Sequence, residues 1–196
     1  MAIERVGIPC KRMGLSILFL FSTILTVSSL SVAQEAPRWE VFGGYSYRRL
    51  NSTSMGFVSN SNLNGWNGEG AFNITPTWGV VADLSGHYGS QLSVFDYMIG
   101  PQYSWRRDKS KFFGHALFGK AQNTVNISTS LRDGFKSVGH SFAAGGGYDF
   151  ELTRLFTVRV QGDYVNTNTF GATQNDIRVS TGLVFHFGHI GHRPRL

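Results

Sequence analysis

The stretch STGLVFHF, residues 180–187, decides how this chain is read. Thr181, Leu183, Phe185 and Phe187 fall on one side of a two-residue alternation, and Ser180, Gly182, Val184 and His186 on the other. A period of two is that of a β-strand, whose successive side chains point to opposite faces. A strand carrying aromatics on one face needs something apolar to set against it. A protein core and a lipid bilayer both qualify, and the rest of the sequence chooses between them.

The chain has 196 residues, enough for one ordinary domain. Residues 1–33 read as a secretory signal peptide. Arg5, Lys11 and Arg12 form a positive leader, LSILFLFSTILTVSSLSV (15–32) is apolar, and SVA at 31–33 supplies the small residues a cleavage site requires. The alternative is an uncleaved anchor helix, because an apolar run of this length nearly spans a bilayer. The small residues before Gln34 argue against it. Cys10, the single cysteine, precedes the apolar run, so neither a lipid-modified N-terminus nor a disulfide is expected. Small exported domains often depend on disulfides, so stability must come from elsewhere.

Removing Arg5, Lys11, Arg12 and Glu4 with the leader leaves 15 of 18 basic and 11 of 12 acidic residues. That mild balance, without a basic run, gives no reason to expect nucleic acid as a partner. Of 24 glycines only Gly7 and Gly14 lie in the leader. The remainder is rich in glycine, which opposes helices and suits curved sheets.

Period two recurs eight times, over 39–50, 64–74, 78–89, 93–105, 112–123, 138–150, 156–167 and 176–187. These runs exceed the roughly 5–6 residues of a globular strand and match the roughly 9–11 that cross a membrane at a tilt. The fifth run has no clearly polar face, so its facing is open. Pro101 inside the fourth costs a ladder bond and suggests a bulge. Polar connections at 51–63, 124–137 and 168–175 are long, and TPT, RRDKSK and ELTRL are short. Long loops at one end and tight turns at the other are the habit of outer-membrane barrels.

Two features choose lipid over a soluble core. Trp39, Trp66, Trp78, Trp105, Tyr88 and Tyr164 sit near strand ends, as an interfacial aromatic belt requires. Glu40, Arg48, Glu69, Asp83, Asp96, Arg159, Asp163 and Arg178 share the opposite face, where they can pair across a lumen. A soluble lipocalin-like binding barrel would reverse these faces. Its core would be thin, because the apolar face includes Gly43, Gly68, Gly70, Gly86, Gly146 and Gly162.

The ending then carries a resemblance. Ser180, Gly182, Phe185 and Phe187 resemble the C-terminal signal that the barrel-assembly machinery reads in bacterial outer-membrane proteins. VFGGYSY (41–47) and IGPQYSW (99–105) resemble strand motifs of the OmpA-like/OmpX-like eight-stranded barrels. The resemblance implies an all-β, eight-stranded antiparallel up-and-down transmembrane barrel at 34–188 and a short basic tail at 189–196. It implies the Gram-negative outer membrane as destination, lipid and the assembly machinery as partners, and an unknown extracellular ligand at the loops.

Chemistry is sparse. Neighbouring His140 and Ser141 point to opposite faces of a strand, and Ser85 and His87 both face the lumen. These are poor nucleophile–base pairs, so no catalytic residue is assigned and no enzyme is expected, with a lipid A-modifying barrel as the minor alternative. His186, His189 and His192 lack an acidic or thiol ligand, and neither a metal nor a cofactor is expected. An eight-stranded barrel is wide enough only for its own side chains. The expected role is therefore a structural or surface-interaction barrel with a largely plugged polar lumen. A narrow pore for ions or small solutes is the alternative.

Overall fold

The computed structural model describes residues 36–50, 61–89, 92–125, 135–153, 155–169 and 172–190. The segment read as a signal peptide, much of the 51–63 and 124–137 stretches and the end of the tail lie outside them. Eight strands form one closed antiparallel barrel in chain order: β1 Trp39–Leu50, β2 Ser61–Asn73, β3 Trp78–Tyr88, β4 Leu92–Arg107, β5 Ser110–Val125, β6 Phe135–Glu151, β7 Phe156–Thr169 and β8 Ala172–Phe187.

The register fixes the barrel's size. Trp39 opposes Phe72, Phe72 opposes Val80, and Val80 opposes Pro101. Gln102 opposes His115, which sets Pro101 level with Ala116. Ala116 then leads to Ala144, Tyr164, Ile177 and back to Arg49 on β1. One circuit climbs from residue 39 to residue 49, a stagger of ten. With eight strands at ordinary spacing this gives a tilt of roughly 40°.

The bulge expected at Pro101 is absent. Ile99 opposes Phe118 and Gln102 opposes His115, so the register is identical on both sides of the proline. Pro101 is exposed on the outer wall and pairs with Val80 on its other side. The loop expected over 168–175 is also corrected. β7 and β8 pair as far as Thr169 and Ala172. Asn62 and Leu63, and likewise Thr124 and Ser137, belong to strands.

At the opposite end the turns are short and locally satisfied. Thr75 Oγ1 accepts the Trp78 N–H at 2.9 Å, and Thr153 Oγ1 accepts the Phe156 N–H at 3.1 Å. Hydroxyl-to-backbone bonds of this kind stabilise turns. Between β4 and β5 Asp108 adopts φ 52°, a conformation Asp tolerates better than most residues. The β1–β8 ladder does not stop at Phe187. Gly188, at φ 65°, accepts the Arg38 N–H, and the Ile190 N–H donates to the Ala36 carbonyl at 2.7 Å.

The faces are those of a membrane barrel. Trp39, Trp78, Trp105, Phe112, Phe156, Phe185 and Phe187 are exposed around the turn end. Their rings touch in sequence: Trp78 and Tyr103 lie 5.1 Å apart, Phe112 and Tyr148 4.9 Å, and Phe156 and Phe185 4.8 Å. Tyr45, Trp66, Tyr88, Tyr97, Phe118 and Tyr164 are exposed toward the loop end. Trp78 and Tyr88 terminate one strand ten residues apart. At that tilt they are separated by roughly 25 Å, the height of an outer-membrane barrel's apolar band. The lumen holds Glu40, Glu69, Asp83, Asp96, Asp149, Asp163 and Asp176 with Arg48, Arg159 and Arg178. Two apolar clusters share it: Ala71, Val81, Met98, Leu117, Ala143 and Val165, and Leu50, Leu63 and Val94 with Leu92. A soluble binding barrel would have these faces reversed.

Candidate functional site: a column of ion pairs

Inward parity brings charges from all eight strands into three connected groups. Toward the turn end, Glu40 on β1 meets Lys111 on β5, Arg106 on β4 (2.7 Å) and Arg159 on β7 (3.4 Å). Arg159 holds Asp149 through Nε at 2.8 Å and Nη2 at 2.9 Å, and Glu69 through Nη1 at 2.8 Å. Lys111 also reaches Asp149 at 2.7 Å. The Arg159 guanidinium lies 4.3 Å from the Phe113 ring centre and 5.3 Å from that of Phe42. Those contacts cover its faces while carboxylates take its edge, a division of labour open to arginine and not to lysine.

In the middle, Arg178 on β8 holds Asp83 on β3 at 2.9 and 3.0 Å and Asp163 on β7 at 2.9 Å. His115 Nε2 bonds the other oxygen of Asp163 at 2.8 Å. Gln161 joins this group to the first through Glu69 at 2.5 Å and Asn67 at 3.0 Å.

Toward the loop end, Arg48 on β1 pairs with Asp96 on β4 at 2.5 Å and Asp176 on β8 at 2.7 Å. Ser85 ties the upper two groups together. It donates to Asp96 at 3.4 Å and accepts from Arg178 at 3.0 Å.

All eight lumenal residues singled out from the sequence are at most 4 % exposed, and each joins this column. Sequence reasoning missed Arg106, Lys111, His115, Asp149 and Asp176. Asp176 shares the parity of Arg178, and Asp149 that of Arg159 when read through the β6–β7 pairing. Lys111 and His115 lie on β5, whose facing the sequence left open. That strand turns Lys111, Phe113, His115 and Leu117 inward and Phe112 and Phe118 outward.

Room for the column comes from β6, whose inward positions include Ser141, Ala143, Gly145 and Gly147. The Asp163 carboxylate occupies the space a side chain on Gly145 would need, and the Phe113 ring does the same at Gly147.

The serines and histidines pair differently from the sequence candidates. Ser141 is buried and faces the sulfur of Met98, whereas His140 is exposed on the outer wall. Ser85 belongs to Arg178 and Asp96. His87 Nε2 instead meets Ser46 Oγ at 2.8 Å, and Ser46 accepts from Ser180 at 2.8 Å. Ser46 and His87 are both fully buried. No carboxylate orients the His87 ring, whose Nδ1 has no partner. A nucleophile needs both a substrate path and an oriented base. Among the described residues no cluster of three or more acidic, His or Cys side chains is placed to hold a metal. His186 is half-buried and His189 exposed, while His192 lies outside the described residues.

The other residues singled out from the sequence divide cleanly by face. Trp39, Trp66, Trp78, Trp105, Tyr88 and Tyr164 are all exposed on the outer wall. Phe185 and Phe187 join them at the turn-end belt, while Ser180 is buried in the lumen. Gly182 opposes Gly44 across the β1–β8 seam.

No protein-family profile matches the sequence, and no curated protein matches it. Solved structures do match. Neisserial surface protein A superposes with a TM-score of 0.66 at 10 % identity, over 79 % of this chain and 99 % of that one. Ail, the attachment invasion locus protein of Yersinia pestis, superposes at 0.51 with 16 % identity, over 77 % and 98 %. The fold is that of the eight-stranded outer-membrane barrels.

Proposed function

We propose that this chain is an integral outer-membrane barrel that serves as a rigid, filled scaffold for its surface loops. Residues 1–33 export it, the turn end faces the periplasm and the loop end faces outward. The observation that carries the reading is Arg159, Arg178 and Arg48 stacked along the lumen, each bound to at least two carboxylates on other strands. An ion entering would have to break charge-assisted bonds that are individually strong in a buried setting.

Planar-bilayer recording on purified protein tests the filled lumen. The expected trace is flat, and stable unitary steps would establish the narrow pore instead. Heat-dependent migration on SDS gels tests the membrane barrel itself. Recovery from periplasm or medium without detergent would reject it. The resemblance at Ser180, Gly182, Phe185 and Phe187 supports reading β8 as the segment presented to the assembly machinery.

A further inference from the structure

The outer wall has a one-sided charge. Every ionisable acid on the described strands turns into the lumen or lies at a strand end, as Glu151 does. The charged residues that face outward are Arg49, Arg107, Lys120 and Lys136. Arg49, Lys120 and Lys136 lie toward the loop end and Arg107 at the turn end, with Phe95 and Val138 still facing outward on the loop side of Lys120.

One row toward the loop end is more organised than the rest. Tyr97 on β4 opposes Lys120 on β5, Lys120 opposes His140 on β6, and His140 opposes Asn168 on β7. All four are exposed on the outer wall, on four consecutive strands. Each side chain can donate a hydrogen bond. None makes a side-chain hydrogen bond or ion pair among the described residues, whereas every lumenal carboxylate of the column does. Two residues nearer the membrane centre on β5 and β6, Phe118 and Phe142 oppose each other with ring centres 5.0 Å apart. Phe118 is 59 % exposed and Ile99 beside it on β4 is 58 % exposed.

The sequence therefore places a lysine and three further donors beside an apolar shelf. A lysine at this depth lays its stem along the shelf and lifts its ammonium to the head groups. We propose that Tyr97, Lys120, His140 and Asn168 form a binding site for the phosphate of an anionic membrane lipid, with Phe118, Phe142 and Ile99 supporting its acyl chain. The proposal rests on the membrane reading above. Phosphate complements the row because it offers several acceptor oxygens and negative charge, and among the described residues the wall nearby presents no carboxylate.

The test uses the full folded chain in phosphatidylcholine nanodiscs doped with phosphatidic acid. Native mass spectrometry then measures which lipid stays bound. Wild type is expected to retain phosphatidic acid over phosphatidylcholine. Lys120→Gln with His140→Gln is expected to lower that preference about fivefold, the weight of one lysine charge at a membrane surface. Arg107→Gln, at the turn end, is expected to leave it unchanged. Equal retention of the two lipids by wild type overturns the site without any variant. An undiminished preference in the double variant overturns it as well. Heat-shifted gel migration is measured on the same samples. A wild type that folds but shows no preference defeats this site alone, whereas one that never shows the folded band defeats the membrane reading too.

Discussion

Arg178 on β8 grips Asp83 on β3 with both terminal nitrogens, at 2.9 and 3.0 Å, across the lumen between strands that are not neighbours. The same guanidinium donates through Nε to Asp163. All three residues are 3 % exposed or less. The geometry makes Arg178 a cross-tie on which two buried carboxylates depend. Arg178→Met takes the guanidinium from both, leaving Asp83 with Asn67 and Asp163 with His115, and breaking a buried pair in this way costs about 3–5 kcal/mol. Urea unfolding in phospholipid vesicles should show that loss. Adding Asp83→Asn and Asp163→Asn should recover much of it, because amides tolerate burial better than unpaired charges. A single variant as stable as wild type would show that the tie carries no energy.

Gly43 on the outer wall and Gly145 on the lumen side should respond differently to substitution. A Cβ on Gly43 meets nothing within 4 Å, because that position opens onto lipid. Gly43→Ala is expected to be neutral or to stabilise by about 0.5–1 kcal/mol, by restricting the unfolded chain. A Cβ on Gly145 would run into the Asp163 carboxylate and the Gly162 carbonyl, and would lie 2.8 Å from Asp163 Cα. Gly145→Ala should therefore weaken the barrel and disturb the His115–Asp163 contact. Comparing folded fractions of the two variants by gel shift reads the contrast. Equal behaviour would contradict the assigned faces.

Why was so much of this fold legible? A strand between lipid and a polar lumen alternates with maximal contrast, so Phe95, Tyr97, Ile99, Tyr103 and Trp105 stand out against Asp96, Gln102 and Ser104. Where that contrast fades, so does legibility. The loop-side ends of β7 and β8 are polar on both faces, so Asn168, Thr169 and Thr173 read as loop although they keep pairing and Thr169 is buried. Strand β5 fails for another reason. Phe113 faces inward because it covers the Arg159 guanidinium, and hydrophobicity alone cannot foresee an apolar ring used to solvate a charge. Lys111 and His115 share that face and were lost with it. Pro101 misleads as well, since a missing donor on the outer wall can leave the register untouched.

Arginine at position 159 should not be exchangeable for lysine. Its Nε and Nη2 take both oxygens of Asp149, its Nη1 takes Glu69, and its plane rests on Phe113. Lysine keeps the charge but offers one nitrogen and no plane. Arg159→Lys is expected to cost about 2–3 kcal/mol, the scale of one or two lost hydrogen bonds to charged groups. Equilibrium unfolding in vesicles measures it. The loss should persist in high salt, because pairs exposed by 2 % or less in their side chains are poorly screened. A loss that vanishes with added salt would mean that the lumen is open to bulk ions.

Phe187 closes the outer-wall alternation of β8 and opposes Trp39, the first residue of β1. It is 52 % exposed, so removing its ring opens no cavity in the lumen. Pairing also continues past it, through the Arg38–Gly188 and Ala36–Ile190 bonds, so the seam has other fastenings. Thermodynamic and cellular effects of Phe187→Ala should therefore separate. Purified variant refolded into vesicles is expected to lose little stability, about 1 kcal/mol for a partly buried ring. In cells, the amount of heat-shifted barrel in the outer membrane should fall, if the aromatic is what the assembly machinery reads. Leu183→Ala, on the same face but away from the end, serves as the comparison. Equal membrane yields from the two variants would show that Phe187 contributes ordinary lipid contact and no address.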